Sequence, residues 1–187
     1  LADVHALHRQ MVMIRSYTDE QQRDAFGHPL CMPGSDATTL SPDGKTLVYC
    51  SETGPRLMRY DLVNDKQLPD LQSFQAPTQG PPAMFFAMEY APNGMLYVLR
   101  GGRIEVVNDK GATTREIALP GFGWAIMDVT SDGRYGYVGS FFTGDVLKIE
   151  LASGAQLGTV KTGGVKALAG VVEYQGESAL AERAKVI

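Results

Sequence analysis

The first 23 positions of the chain carry apolar residues at helical spacing. Leu1, Val4, Leu7, Met11 and Ile14 recur every three or four positions, and neither glycine nor proline interrupts the stretch. This spacing places the five side chains on one face of an α-helix. We therefore predict an N-terminal helix that ends near residue 23 and a linker to residue 34. The apolar face of this helix needs cover, either from the chain's own sheet edge or from a partner.

From residue 35 to residue 187 the pattern changes to short apolar runs separated by turn residues. Three segments repeat the pattern, and they are Thr38–Leu68, Met88–Leu119 and Met127–Val160. Each contains an Asp-Gly or Asn-Gly pair, which favours a tight hairpin turn because such turns need a positive φ. A fourth copy starts at Ala167–Tyr174 and stops short. We predict four strands in each complete segment.

The turn glycines indicate the architecture. Gly44, Gly94 and Gly133 recur at intervals of about 40 to 50 residues, and four-stranded repeats of this length are typical of β-propeller blades. The sequence therefore predicts an all-β fold over residues 35–187. This fold is a partial β-propeller with three four-stranded blades and part of a fourth, preceded by the N-terminal helix. An antiparallel sandwich with a similar number of strands is the alternative.

An incomplete propeller leaves a blade uncovered. Propellers close with about 4 to 8 blades, so this chain leaves an unpaired edge and an exposed apolar blade face. We therefore expect a partner, either another protein chain or a second copy of this one, and a fragment of a larger propeller is the remaining alternative. The chain would then form part of a larger or oligomeric propeller.

Composition and charge exclude several classes of function. The 187 residues include 17 basic and 21 acidic side chains, and the net charge of −4 provides no electrostatic footprint for nucleic acid. No apolar run approaches the roughly 20 residues that a membrane-spanning helix needs. The two cysteines, Cys31 and Cys50, allow one internal disulfide or two half-buried thiols. Because both states remain open, the cysteines do not indicate a compartment.

Three stretches of the sequence resemble known propellers. They are SPDGKTLVYCSETGPRLMRYDL (Ser41–Leu62), VVNDKGATTREIALPG (Val106–Gly121) and ELASGAQLGTVKTG (Glu150–Gly164). The first two resemble the SMP-30/gluconolactonase-like propellers and also the wider NHL and YVTN-type group, which the third stretch fits at least as well. The resemblance covers residues 35–176 and implies a propeller fold.

The resemblance also implies an activity. SMP-30 enzymes are metal-dependent lactonases that hold a divalent cation on the ring axis with Glu, Asn and Asp side chains. The family's Asn ligand matches Asp36, which can replace it as an oxygen donor. The family's strand-end Asp matches Ser51, with Glu52 beside it. The resemblance thus implies a lactone hydrolase with Asp36 as a ligand of Ca²⁺ or Zn²⁺ and Glu52 as the candidate base.

Three carboxylates occupy one position of the repeat. Alignment of the first strands places Glu89, Asp128 and Glu173 together, with Thr39 in the first blade. Carboxylates that converge on one axis repel each other unless a cation or protons neutralise them. The three residues are therefore candidate metal ligands, and the alternative is that they cap the inner strand or pair with a neighbouring Arg or backbone N–H group.

The loops that open at one mouth of a propeller carry aromatic and charged residues. The candidate ligand-binding residues are Arg100, Phe122, Trp124, Phe141 and Phe142. An aromatic mouth with a few charges is typical of a ligand or protein contact surface, although Trp124 and Phe142 could instead pack between blades. The leading interpretation is a partner-dependent propeller module that shapes a small-molecule or protein contact site. The alternative is the lactone hydrolase.

Overall fold

The computed structural model describes residues 38–50, 56–73 and 85–163. These residues form β-strands and no helix, so none of them belongs to a helix that could cross a membrane. The predicted N-terminal helix and the fourth repeat lie outside the described residues. The strands are β1 Thr38–Leu40, β2 Thr46–Cys50, β3 Arg56–Asp61, β4 Lys66–Ser73, β5 Ala87–Tyr90, β6 Leu96–Leu99, β7 Arg103–Val107, β8 Thr113–Ala118, β9 Trp124–Val129, β10 Tyr135–Ser140, β11 Asp145–Glu150 and β12 Gln156–Lys161.

The strands form three four-stranded antiparallel sheets. Sheet 1 contains β1 to β4, sheet 2 contains β5 to β8, and sheet 3 contains β9 to β12, each in chain order. The first strands β1, β5 and β9 lie next to each other in space. Three such sheets that contact each other through their first strands are consistent with the three complete blades of a partial propeller.

The described core has two apolar layers between the sheets and a third cluster, Leu47, Tyr49 and Met58, on the other face of sheet 1. Val48 and Leu57 of sheet 1 pack against Val98 of sheet 2. On the other face of sheet 2, Tyr97 belongs to a cluster that includes Val138 of sheet 3. Because neighbouring residues of a strand point to opposite faces, adjacent positions of β6 contact different sheets. All four residues of β6 are buried for this reason.

The predicted turn glycines adopt the expected positive φ, and one of the three turns is a residue shorter than the other two. Gly44, Gly94 and Gly133 have φ values of 69°, 82° and 70°. In the second turn the amide of Ala91 donates to the carbonyl of Met95, four residues later, whereas the matching bonds of the other two turns span five residues. A one-residue shift moves a side chain to the other face of a sheet. Equivalent positions must therefore be taken from the strand registers and not from the glycines.

Strand β4 is longer than the sequence pattern predicts. The pattern ends the segment at Leu68, but β4 continues to Ser73. The register with β3 shifts around Pro69, whose carbonyl oxygen accepts a hydrogen bond from Arg59 Nε at 3.0 Å. Since proline has no amide hydrogen to donate to the ladder, a bulge lets the strand continue past it.

Cys50 lies at the end of β2, where it is buried and disulfide-bonded. The only other cysteine of the chain, Cys31, lies outside the described residues.

Candidate functional site

Three loops meet at one end of sheets 2 and 3, namely the β6–β7, β8–β9 and β10–β11 loops. The Gly101 carbonyl oxygen accepts hydrogen bonds from the amides of Gly123 (3.0 Å) and Trp124 (3.1 Å), and the Gly123 carbonyl accepts one from Phe141 (2.9 Å). These bonds join neighbouring connections into one surface, as the sequence predicts for a propeller mouth. We call this surface the loop end, and it consists of residues 100–102, 120–123 and 141–144.

Three phenylalanines of the loop end are exposed. Phe122, Phe141 and Phe142 expose 47%, 47% and 50% of their surface. Phe122 meets Phe86 edge to face, with ring centroids 5.9 Å apart and planes at 75°. Phe141 and Phe142 form a similar pair at 5.6 Å and 81°. Since phenylalanine is usually among the most buried residues, this grouping forms an unusual apolar surface.

Two glycines allow these rings to approach the backbone. Gly101 has a φ of 78°, and a Cβ there would lie 2.6 Å from Cε2 of Phe122 and 2.8 Å from Cε2 of Phe86. Gly123 has a φ of 110°, and its Cβ would overlap the ring of Phe142. Both glycines therefore combine a left-handed backbone with a ring packed directly on it.

Trp124 is in the core beneath the loop end. It begins β9 and is buried between sheets 2 and 3. Its indole Nε1 donates a hydrogen bond to the carbonyl oxygen of Pro120 at 3.1 Å. This bond fixes the connection that carries Phe122. The indole itself is not part of the exposed aromatic surface.

Arg100 is also buried. Its Nη1 lies 3.5 Å from Oε2 of Glu105, and its guanidinium carbon lies 4.3 Å from the centre of the Phe85 ring. Burial lowers the pKa of Arg100 to about 10, although the negative charge of Glu105 opposes this shift. Arg100 therefore stays protonated at neutral pH. Glu105 also accepts a hydrogen bond from Arg103 Nη2 at 2.7 Å, so it pairs with two arginines.

The predicted carboxylate positions are described only in part. Glu89 of β5 pairs with Tyr97, and Asp128 of β9 pairs with Tyr137, so the two carboxylates occupy equivalent positions of sheets 2 and 3. Within the described residues, no group of three or more His, Cys, Asp or Glu side chains is placed to hold a metal ion. The predicted residues Asp36, Glu52 and Glu173 lie outside the described part of the chain.

The sequence predicted an open blade face but not its residues. We call it the outer face of sheet 3, which points away from sheet 2 and includes Tyr135, Tyr137, Val146, Lys148 and Val160. It contains an open depression of about 380 Å³ lined by residues 157–160 and by three residues of β10 and β11. Lys148 Nζ lies 3.9 Å from the centre of the Tyr135 ring and 5.6 Å from that of Tyr137. The alternation of Leu147, Lys148, Ile149 and Glu150 along β11 was the available signal for the two faces of sheet 3, but it does not identify Val146 as part of the outer face.

Comparison with known proteins supports the fold. No family model and no curated protein matches the chain. The structure is similar to Kuenenia stuttgartiensis hydrazine synthase, with a TM-score of 0.58, 18% identity and coverage of 74% of this chain and 38% of that one. It is also similar to dihydro-heme d1 dehydrogenase NirN in complex with DHE, with a TM-score of 0.54, 18% identity and coverage of 68% and 28%.

Both similar structures are β-propeller proteins, so the propeller-like fold is confirmed. At 18% identity the likeness shows the fold alone. The chain spans well under half of the length of either protein, since it covers 38% and 28% of them. Membership of the SMP-30 family stays a prediction.

Proposed function

We propose that this chain is a partner-dependent β-propeller binding module. In this proposal, a further sheet from a partner chain packs on the outer face of sheet 3 and extends the ring. The observation that carries the proposal is the exposure of this face at positions whose counterparts are buried under the following sheet. A binding module of this kind needs no reaction of its own.

The strand registers identify these counterparts. Val146 of sheet 3 occupies the position of Ile104 in sheet 2 and Leu57 in sheet 1. Ile104 and Leu57 are 0% exposed, whereas Val146 is only partly buried. On the outermost strand, Val160 pairs with Val146 and is 66% exposed, while its counterpart Ile117 is 3% exposed. Covering Val160 to the same extent would contribute about 1 to 2 kcal/mol to association.

The contact between sheets 2 and 3 suggests the chemistry of the partner. Arg115 of sheet 2 reaches across to sheet 3, where Nη1 donates to the carbonyl oxygen of Ala152 at 2.6 Å and Nη2 donates to that of Leu151. The outer face of sheet 3 also carries a cation, Lys148 of β11, although it lies one strand further in than Arg115 does in sheet 2, and it lies over the ring of Tyr135. We therefore expect the partner sheet to present an apolar face with a carbonyl or carboxylate oxygen opposite Lys148.

A second copy of this chain is the partner that can be tested directly. Light scattering coupled to size exclusion measures the mass of the purified chain. We expect an assembly larger than the 20.2 kDa monomer. Val160→Asp should dissociate it, because a carboxylate cannot be buried in an apolar contact without a large cost. Val63→Asp is the matched control, since Val63 is also 66% exposed but lies in the β3–β4 turn.

The stability of the variant provides a second criterion. If the outer face of sheet 3 is reserved for a partner, Val160→Asp changes the free energy of unfolding of the monomer by less than about 0.5 kcal/mol. A wild-type chain that remains monomeric at all concentrations contradicts self-association. A large loss of stability in the monomeric variant means that the chain itself already covers the face, and the proposal is then wrong.

Divalent-metal-dependent lactone hydrolysis is the second candidate function. The equivalent positions of Glu89 and Asp128 support it, together with the resemblance to SMP-30 propellers. Asp36 would be a further ligand and Glu52 the base that activates water. Ca²⁺ or Zn²⁺ should then raise the melting temperature, because a ligand of the native state stabilises it. No thermal shift and no hydrolysis of gluconolactone would exclude this candidate.

A further inference from the structure

We propose that the loop end binds a planar, uncharged ring compound, which packs against Phe122, Phe141 and Phe142 by face-to-face and edge-to-face contacts. This site lies on a different surface from the outer face of sheet 3. It therefore does not depend on the assembly proposed above.

The exposed aromatic area is concentrated at this end of the molecule. Among the described residues, the other large apolar side chains with comparable exposure are aliphatic, namely Leu40, Val63, Leu157 and Val160. The three phenylalanines of the loop end are the exposed aromatic exceptions. Because the planes of Phe141 and Phe142 are 81° apart, a planar ring compound can stack on the face of one ring while its edge meets the other, and both arrangements are favourable aromatic contacts.

The rings are held in place before any ligand arrives. The ring of Phe122 lies on the backbone of Gly101, and that of Phe142 lies on the backbone of Gly123. Backbone hydrogen bonds between Gly101, Gly123 and Phe141 join the three connections that carry the rings. Such a surface loses little conformational entropy on binding, which favours affinity for a rigid ligand.

The two arginines that flank the glycines of the β6–β7 loop are already paired. Arg100 is buried against Glu105, directly before the glycines of the β6–β7 loop. Arg103, directly after these glycines, lies 2.7 Å from Glu105 and 3.5 Å from Glu116. Because each guanidinium group has a carboxylate partner, this side of the loop end offers no free charge to an ionic ligand. The arrangement therefore favours an uncharged compound.

Nile red, a planar and uncharged dye, is a direct probe of the full chain. Its fluorescence should rise saturably on titration with the protein. Phe122→Ala and Phe142→Ala should each weaken the affinity of the dye by about tenfold, because each removes an aromatic contact. Phe142→Trp should retain binding. Leu40→Ala is the matched control, since Leu40 is 49% exposed and lies at the opposite end of the sheets.

Three results would overturn this proposal. The first is an unchanged affinity in both phenylalanine variants, and the second is an equal loss in Leu40→Ala. The third is a change of mass in Phe142→Ala without a change in dye affinity, because the loop end would then be a protein interface. Val160→Asp separates the two proposals, since dye binding should persist in this variant whatever its mass. A loss of dye binding in Val160→Asp alone would assign the dye to sheet 3 and contradict the inference.

Discussion

The contact between sheets 1 and 2 at Gly111 allows a quantitative test of the fold. Gly111 lies in the β7–β8 turn with a φ of 82°, and a Cβ there would overlap the carbonyl oxygen of Leu71 in β4. Gly94 has the same φ of 82°, but no atom lies within 4 Å of its Cβ position. Alanine at either position incurs the cost of a left-handed backbone, about 1 to 2 kcal/mol. Only Gly111→Ala must also displace the neighbouring sheet.

The displacement determines the expected difference between the two variants. Overpacking a well-packed contact costs about 1 to 3 kcal/mol. Gly111→Ala should therefore lower the free energy of unfolding by about 2 to 5 kcal/mol, which exceeds the effect of Gly94→Ala by about 1 to 3 kcal/mol. Urea unfolding monitored by circular dichroism measures both values. Equal losses in the two variants would refute the close packing of sheet 1 on the β7–β8 turn.

Two further predictions concern charged groups. Glu105→Gln leaves Arg100 as a buried charge without its carboxylate partner, so the free energy of unfolding measured in urea should fall by about 3 kcal/mol. Arg103 is half-exposed, so Arg103→Gln should lower it by less than about 1 kcal/mol. Similar losses in the two variants would contradict this ranking. The Thr130 hydroxyl donates to Asp132 and holds the pKa of Asp132 below its ordinary value of 3.8. Because the pKa of Asp132 is lower in the folded state than in the unfolded state, the resulting stabilisation is fully present above the ordinary value of 3.8. It is lost as the pH falls through the folded-state pKa. Asp132→Asn should therefore flatten the decline of the melting temperature below about pH 4, and identical profiles for variant and wild type would contradict this.

Local chemistry made the sheets predictable from the sequence. Asp-Gly and Asn-Gly pairs require a backbone with positive φ, and Gly44 and Gly133 have it. The short apolar runs on either side of each turn then identify the strands. These are short-range properties, so they do not depend on how the sheets pack.

The faces of the sheets were harder to predict, because they depend on register. The shorter turn at Gly94 shifts the strands of sheet 2 by one residue relative to the glycines, which the dipeptide pattern does not reveal. Strand β4 extends beyond Leu68 because Pro69 lies in a bulge. A proline in a sequence more often indicates the end of a strand.

The candidate site was predictable in location and less so in side-chain direction. The loops that carry Phe122 and Phe142 meet at one end, as the repeat pattern predicts. Trp124 and Arg100 belong to the same connections, but both are buried, because an indole and a guanidinium group can each find a partner beneath the surface. The neighbouring sheet determines which side chains of a loop are buried. The spacing of residues in the sequence therefore does not predict it.

The mass of the purified chain in solution tests the central claim most directly. Light scattering coupled to size exclusion should give an assembly larger than 20.2 kDa for the wild type and for Val63→Asp. It should give a monomer for Val160→Asp, because this substitution places a charge on the outer face of sheet 3. A monomer of 20.2 kDa for all three chains would contradict the claim that this face binds a further copy of the chain.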